Sequence, residues 1–379
     1  MNLHVTHDRN GTYPGEISQR IVNSAFNDSN LMVNLSTKSA FKHSKISYID
    51  TTLKAFENYM DEISDLDKII FHPFTLSSPE FLAVVKRRFP DVKVYWSIWS
   101  YDVYGLPPIP KEYFEPYSRR YLRKKMEIVE RFKASKAGRW ALNFIYFTGL
   151  KRNYLKELKA SFWQIDFFCS LLPSDFLAYQ KISKNYKTRH LPFAYLSLEQ
   201  IMPALDEFSC HGHKIMVGHS SSPGGNHFEV LEYLHQINPD FSIFLPLSYG
   251  DKVYGDCIEK EARARFNNLE VLRENLSKSL YYKKLKEIGW VIINVKVQEG
   301  LGNIIALIWM GVKVFLDERS STFKDFKGWG MIIYSIQTQL TKKELTDTLT
   351  PDQILTNKEI IKEKCSESIV KDYWQNIIT

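Results

Sequence analysis

Two glycine-bearing stretches in the second half of the chain have the residue types and placement to hold a phosphorylated ligand. The first reads Val217-Gly218-His219-Ser220-Ser221-Ser222-Pro223-Gly224-Gly225-Asn226, and the second Gln298-Glu299-Gly300-Leu301-Gly302-Asn303. Each follows an apolar, strand-like run (Lys214 to Val217, Trp290 to Val295) and each leads into a helical pattern. A strand, a glycine turn and a helix N-terminus together offer bare backbone N–H groups and a positive helix end to an anion. In the second stretch the amides of Gly302 and Asn303 are expected against a diphosphate or donor sugar. Gln298 and Glu299 precede them, placed to bond ribose or sugar hydroxyls. In the first, Gly218, His219, Ser220, Ser221 and Asn226 are the expected donor contacts. Two such turns suggest a ligand gripped from both sides, and a nucleotide-sugar is the first to consider. A further strand end, Pro246-Leu247-Ser248-Tyr249-Gly250, offers the Tyr249 ring to a nucleobase. The same glycines would equally serve tight strand-to-helix turns with no ligand.

Sugar transfer by inversion also needs a group that takes the acceptor hydroxyl's proton while the diphosphate departs. Three strand ends in the first half carry candidates: His7-Asp8-Arg9-Asn10-Gly11, Phe71-His72-Pro73 and Trp99-Ser100-Tyr101-Asp102-Val103-Tyr104. Asp102 and Asp8 are the candidate bases, with His7 behind them. Surrounding aromatic residues would raise the pKa of Asp102 by desolvation. His72, Trp99 and Tyr104 are expected at the acceptor. The chain has no HExxH, CxxC, GxSxG or GxxxxGK[ST] motif, and its one DxD triplet, Asp65-Leu66-Asp67, precedes the strand-like run at Lys68 and follows no strand end. Helix ends and amides would then stabilise the leaving diphosphate, with no metal and no cofactor called for.

These turns need a scaffold, and the chain alternates strand-like and helix-like segments. Leu3 to His7, Leu31 to Leu35, Lys68 to His72 and Val92 to Trp96 read as strands. Ile17 to Phe26, Leu53 to Ile63 and Pro79 to Phe89 read as helices. Asp166 to Ser170 and Arg189 to Leu191 follow as late strands. A second series begins near His213, with strands at 214–217, 241–245, 269–272, 291–295, 313–316 and 331–334. Its helices are expected at 226–236, 252–266, 278–288 and 303–310. Alternation of this kind predicts parallel sheets covered by helices on both faces. The expected fold class is therefore α/β, with two Rossmann-like domains facing across a cleft, as in the GT-B glycosyltransferases. The expected boundaries are 1–195 for a first, acceptor domain with a basic helical insert at about 110–160. A donor domain at 196–350 follows, then terminal helices at 351–379 that pack back towards the first domain. Periplasmic binding proteins and some epimerases share the two-lobed plan.

A length of 379 residues, 44% hydrophobic and 25% charged, suits two globular cores and excludes a disordered chain. The four cysteines are scattered, as expected of reduced cytosolic thiols. No signal peptide is expected at Met1, and no apolar run approaches the ~18 residues of a membrane span. Between Lys111 and Ala160 fourteen basic residues oppose five acids, more than the whole chain's excess of +7. Aromatics interleave with them, a mixture suited to an anionic lipid surface or to nucleic acid; it would also suit a solvated basic face over an aromatic core.

Taken together, these segments resemble glycosyltransferase family 56. The resemblance is carried by Phe71-His72, Ile98-Trp99-x-x-Asp102-x-Tyr104, Val217-Gly218-x-Ser220 with His227, Pro246 with Tyr249, Leu269-x-Val271-Leu272 and Gln298-x-Gly300-x-Gly302. Known members of that family transfer 4-acetamido-4,6-dideoxygalactose from a dTDP-sugar to a lipid-linked intermediate of enterobacterial common antigen. The resemblance implies a GT-B fold and a nucleotide-sugar donor bound by the second half. It also implies a polyprenyl-diphosphate-linked acceptor at the inner face of the bacterial plasma membrane, with the enzyme cytoplasmic and peripheral there. No nucleic-acid partner is then expected. Glu299 and Asn303 stand where the family pattern has glutamine and threonine, and Ser222 to Gly225 replaces a more acidic loop. Those departures fall where donor sugar and phosphate should sit. Two other readings of the residues are a GT-B-like nucleotide-sugar epimerase and a non-catalytic sugar- or nucleic-acid-binding protein.

Overall fold

A computed structural model describes residues 1–6, 29–35, 46–106, 111–125, 153–202, 210 and 212–379. His7, Asp8, the expected helix at 17–26 and the middle of the basic insert lie outside the described residues. Those described fall into two compact units, one within Met1–Pro108, Tyr146–Leu196 and Ser368–Thr379, the other within Ile109–Ile145 and Ser197–Glu367.

The first unit is built on a seven-stranded parallel sheet. Its strands are β1 (Asn2–Thr6), β2 (Asn30–Leu35), β3 (Ile46–Ile49), β4 (Lys68–His72), β5 (Lys93–Ser97), β6 (Phe167–Ser170) and β7 (Arg189–Pro192), in the order β3-β2-β1-β4-β5-β6-β7. Side chains alternate across a strand, so residues two apart share a face. Leu3, Val5, Val33, Ile69, Phe71 and Val94 enter one core with Phe56 of the helix Leu53–Asp61 and Phe81 of the helix Ser78–Arg88. On the opposite face Met32, Ile70, Tyr95 and Cys169 pack against Val370, Trp374, Ile377 and Ile378 of the helix Glu367–Ile378.

That second face also carries a buried polar row, Asn2, His4, Asn30 and His72. It is satisfied internally, as burial requires. Asn2 Nδ2 donates to the carbonyl of Ile378 (2.8 Å) and to Asn30 Oδ1 (3.1 Å), which also meets His4 Nε2 at 3.1 Å. His4 Nδ1 lies 3.0 Å from His72 Nε2, and His72 Nδ1 lies 3.1 Å from Tyr195 Oη. The Trp374 ring stacks on His72, with centroids 6.2 Å apart.

The second unit has a six-stranded parallel sheet of β8 (Lys214–Val217), β9 (Ile243–Pro246), β10 (Leu269–Leu272), β11 (Ile288–Ile293), β12 (Lys313–Leu316) and β13 (Tyr334–Ser335), in the order β10-β9-β8-β11-β12-β13. The first three strands run outward one way and the next three the other. β8 and β11 are thus neighbours at the point where the winding reverses, where ligands bind outside the strand ends in doubly wound sheets. The two glycine turns leave the C-terminal ends of these two strands. The helices His227–Ile237 and Lys252–Arg263 cover one face with Val230, Leu231, Leu234, Tyr254 and Ile258. β11 starts three residues earlier than the sequence suggests. Gly289 lets its backbone pass the carbonyl of Gly212, 2.6 Å from where a Cβ would stand, and the register shifts there. Residues 111–125 of the basic insert, with the helix Pro116–Lys125, belong to this unit, and residues 153–160 belong to the first. The Tyr117 and Ser118 amides both donate to Glu229 Oε1 (2.7 and 2.9 Å), and Tyr121 packs on Phe228 and Tyr254.

Candidate active site

In the first unit the Trp99–Tyr104 segment follows β5 and turns sharply. Ser100 has φ 71° and ψ −60°, and the Tyr101 amide donates to the Trp99 carbonyl at 2.9 Å. This is a γ-turn centred on a non-glycine residue, a strained conformation that persists only where its surroundings hold it. Asp102 does the holding. Its Oδ2 accepts from Trp96 Nε1 (2.6 Å) and its Oδ1 from the Trp99 amide (2.9 Å). Burial raises its pKa to about 6, against the lowering effect of these donors. Asp102 is 3% exposed, and both of its oxygens face the protein. His72 is fully enclosed, with one ring nitrogen on His4 and the other on Tyr195, so it braces the sheet face. Trp99 meets the Tyr195 ring edge-on at 5.6 Å, and Tyr104 Oη donates to Asp175 Oδ1 at 2.6 Å.

In the second unit the 218–226 turn is fixed by its own residues. Gly218 has φ 70°, and a Cβ there would lie 2.1 Å from His227 Nε2; one on Gly225 would lie 2.4 Å from His227 Cε1. The buried His227 ring thus fills the space two glycines leave, with Nδ1 3.2 Å from Tyr254 Oη. Ser221 Oγ donates to the Tyr249 carbonyl (2.7 Å), which also receives the Ser221 amide. Ser220 Oγ accepts the Ser222 amide at 3.3 Å. Asn226 is wholly buried. Its Oδ1 accepts from the Glu115 amide (2.8 Å), and its Nδ2 reaches the carbonyls of Asn294 (2.8 Å), Gly224 (2.9 Å) and Tyr113 (3.1 Å). Asn226 is therefore a brace between three segments, where the sequence suggested a donor contact. Replacing Gly218 by alanine is expected to destabilise the second unit by about 2–5 kcal/mol, from left-handed strain and overpacking together. A thermal melt within error of wild type would refute this.

The 298–303 turn is different. Gly300 has φ 69°, and a Cβ on it would meet the His219 ring at 2.8 Å, so the protein itself requires this glycine. Gly302 is different: among the described residues, a Cβ there would meet no atom within 4 Å beyond its own helix turn. It is the second residue of the helix Leu301–Trp309, whose N-terminus carries no side-chain cap. Beside this end lies His219, 3% exposed, its Nδ1 buried without a hydrogen-bond partner and its Nε2 3.7 Å from Glu299 Oε1. Burial lowers the His219 pKa, and Glu299 partly offsets that. The half-exposed Tyr249 ring stands 6.3 Å from the His219 ring. Gln298, Glu299 and Asn303 are all partly exposed around the turn. An open helix end, a glycine with space before it and a buried imidazole together suit an anion.

Three charged residues missed by sequence reasoning stand at the same strand ends. Lys296 follows β11, while Asp317 and Arg319 follow β12. Arg319 Nε donates to the fully buried Asp317 at 2.7 Å, and Gln337 Nε2 donates to the same carboxylate at 2.9 Å. Glu115 Oε1 lies 2.7 Å from both Lys296 Nζ and Arg319 Nη2. The available signal was a lysine at the end of the largely apolar run Ile292-Ile293-Asn294-Val295-Lys296-Val297. Among the described residues no three His, Cys, Asp or Glu side chains converge as a metal site.

A family model described as 4-alpha-L-fucosyltransferase, glycosyl transferase group 56, matches residues 172–364, half of the chain and most of the second unit. The chain belongs to glycosyltransferase family 56. The fold agrees with this. Sucrose-phosphate synthase from Thermosynechococcus elongatus is similar at 11% identity and TM-score 0.62, with 100% of this chain and 98% of that chain covered. HepE of Anabaena, in complex with UDP and glucose, is similar at 10% identity and TM-score 0.59, with 99% and 98% covered. The lipopolysaccharide outer core galactosyltransferase WaaB gives 9% identity and TM-score 0.57, with 100% and 99% covered. With two parallel-sheet Rossmann-like units, this family 56 member has the GT-B fold, and it is a glycosyltransferase.

Proposed function

We propose that this enzyme transfers an amino-deoxy sugar from a dTDP- or UDP-sugar to a polyprenyl-diphosphate-linked acceptor in bacterial surface polysaccharide synthesis. The carrying observation is the open N-terminus of the Leu301–Trp309 helix at the winding reversal, with Gly302 unobstructed and His219 beside it. The donor's diphosphate meets the amides of Gly302 and Asn303, and Glu299 and Gln298 bond the sugar or ribose. The Tyr249 ring takes the base. HepE, whose structure holds UDP and glucose, supports a nucleoside-diphosphate donor by analogy of fold. The first unit serves the acceptor. There Asp102, which holds the strained Trp99–Ser100 turn, or Asp8, which follows β1 in sequence, takes the acceptor hydroxyl's proton. The exposed Arg120, Arg123 and Lys124 support attachment to anionic lipid, while among the described residues no helix is long and apolar enough to cross a membrane.

The test is transfer from a panel of dTDP- and UDP-sugars to a polyprenyl-diphosphate-linked acceptor, with melting temperatures recorded for each donor. Protection and acceptor-dependent transfer by one donor are expected. Conversion of a free nucleotide-sugar without acceptor would replace this reading with an epimerase. Failure to float with anionic vesicles would remove the membrane role.

A further inference from the structure

Two cations at the strand ends beside the proposed donor site are already paired with an internal anion. Lys296 and Arg319 sit at the ends of the adjacent strands β11 and β12, and both reach a single oxygen of Glu115 at 2.7 Å. Burial acts to raise the Glu115 carboxyl, but Lys296 and Arg319 overcome this and hold it below the usual carboxylate range. The Lys296 side chain is 5% exposed, so its charge is largely desolvated and needs an anion close by. Glu115 arrives on the segment preceding the helix Pro116–Lys125. The backbone of that segment is tied independently, by Asn226 to Tyr113 and Glu115 and by Glu229 to Tyr117 and Ser118. The carboxylate can therefore swing away while the segment stays docked.

The charge balance gives this contact a consequence. With Glu115 and Asp317 in place, the two cations are neutralised, and Glu299 adds a negative charge beside the Leu301–Trp309 helix end. A diphosphate entering there would meet no net positive side-chain charge. Asp317 is buried and tied by Arg319 and Gln337, so it stays. Glu115 is the carboxylate whose departure leaves Lys296 and one edge of Arg319 for an incoming anion. We propose that Glu115 is an internal stand-in for the donor's diphosphate: it holds Lys296 and Arg319 in the empty enzyme and is displaced when the nucleoside-diphosphate group binds. This rests on the nucleotide-sugar reading above and adds that donor affinity is set against a carboxylate of the enzyme itself.

The experiment is calorimetric titration of the full chain with dTDP, UDP and inorganic pyrophosphate. Glu115→Gln, which keeps the shape and removes the charge, is expected to bind all three about tenfold more tightly than wild type. Glu115→Asp, whose carboxylate is drawn back by one methylene, should tighten binding by less. In Glu115→Gln with Lys296→Met the gain should vanish, because the cation that Glu115 shields is gone. Unchanged or weaker binding in both Glu115 variants, with dTDP or UDP still bound by wild type, would overturn the stand-in and leave the nucleotide-sugar reading intact. No binding of any probe by any of the proteins would overturn both.

Discussion

Gly302→Asp is expected to abolish sugar transfer while leaving the second unit as stable as wild type or slightly more so. The two effects have opposite signs for one physical reason. A carboxylate in the first turn of a helix interacts favourably with the positive end of the dipole, by about 0.3–1 kcal/mol. The side chain also replaces a glycine inside a helix, and among the described residues its Cβ meets no atom within 4 Å beyond its own helix turn. If the donor's diphosphate uses that same space, the new carboxylate fills it with like charge. The loss in kcat/KM should then be on the order of a hundredfold or more. Gly302→Ala, with bulk but no charge, should fall between the two. Initial rates and melting temperatures of the three proteins decide the matter: wild-type transfer by the Asp variant would remove the Gly302 turn from the donor site.

Acidification is expected to destabilise both units, because each holds buried, neutral histidines. Burial, with the nearby His219, lowers the His227 pKa to about 3, and burial also lowers that of His219. In the unfolded chain both return to about 6.5. Where the unfolded state binds more protons, stability falls as pH falls. The stability held by these two histidines is therefore complete above pH 6.5 and is lost towards pH 3, with His227 alone contributing on the order of 5 kcal/mol. In the first unit, burial lowers His4 to about 4 and His72 well below its ordinary value, with the same sign. Asp102 opposes them there. Its folded pKa of about 6 lies above its unfolded value, so its contribution is complete below about pH 4 and declines as pH rises through 6. The His4 and Asp102 terms, each on the order of 3 kcal/mol, nearly offset one another between pH 4 and 6. Hydrogen exchange read by peptide at pH 7 and pH 5 separates the units. Equal protection of β8 and β11 at the two pH values would contradict this, and His227→Gln should flatten the second unit's response.

Much of this architecture was legible because its physics is local. β4, β8, β10 and β12 lie where the apolar runs between turn residues put them, and the parallel winding follows from their alternation with helices. β3 was not legible. It is a four-residue edge strand with three half-buried positions, and its polar surroundings hide it. At the site, the glycines stood out, but their purposes did not. Gly218, Gly225 and Gly300 each make room for a histidine ring, a contact between residues that the sequence alone leaves unpaired. Gly302, among the described residues, makes room for no side chain. The Lys296–Glu115–Arg319 cluster joins residues up to 204 positions apart, and no periodicity encodes such a convergence.

The helix Glu367–Ile378 closes the second face of the sheet that β1 begins, and Asn2 bonds to the carbonyl of Ile378, 376 positions away. Synthesis runs from the amino end, so the first unit's strands leave the ribosome long before the helix that covers them. During that interval Met32, Ile70 and Tyr95 have no lid, while the second unit, whose strands are all made in between, can complete its own sheet. The part of the enzyme that begins first on the ribosome therefore finishes last. A nascent chain stalled before Trp374 would carry a folded second unit and an adhesive, half-covered first one, which makes it a natural client for a chaperone.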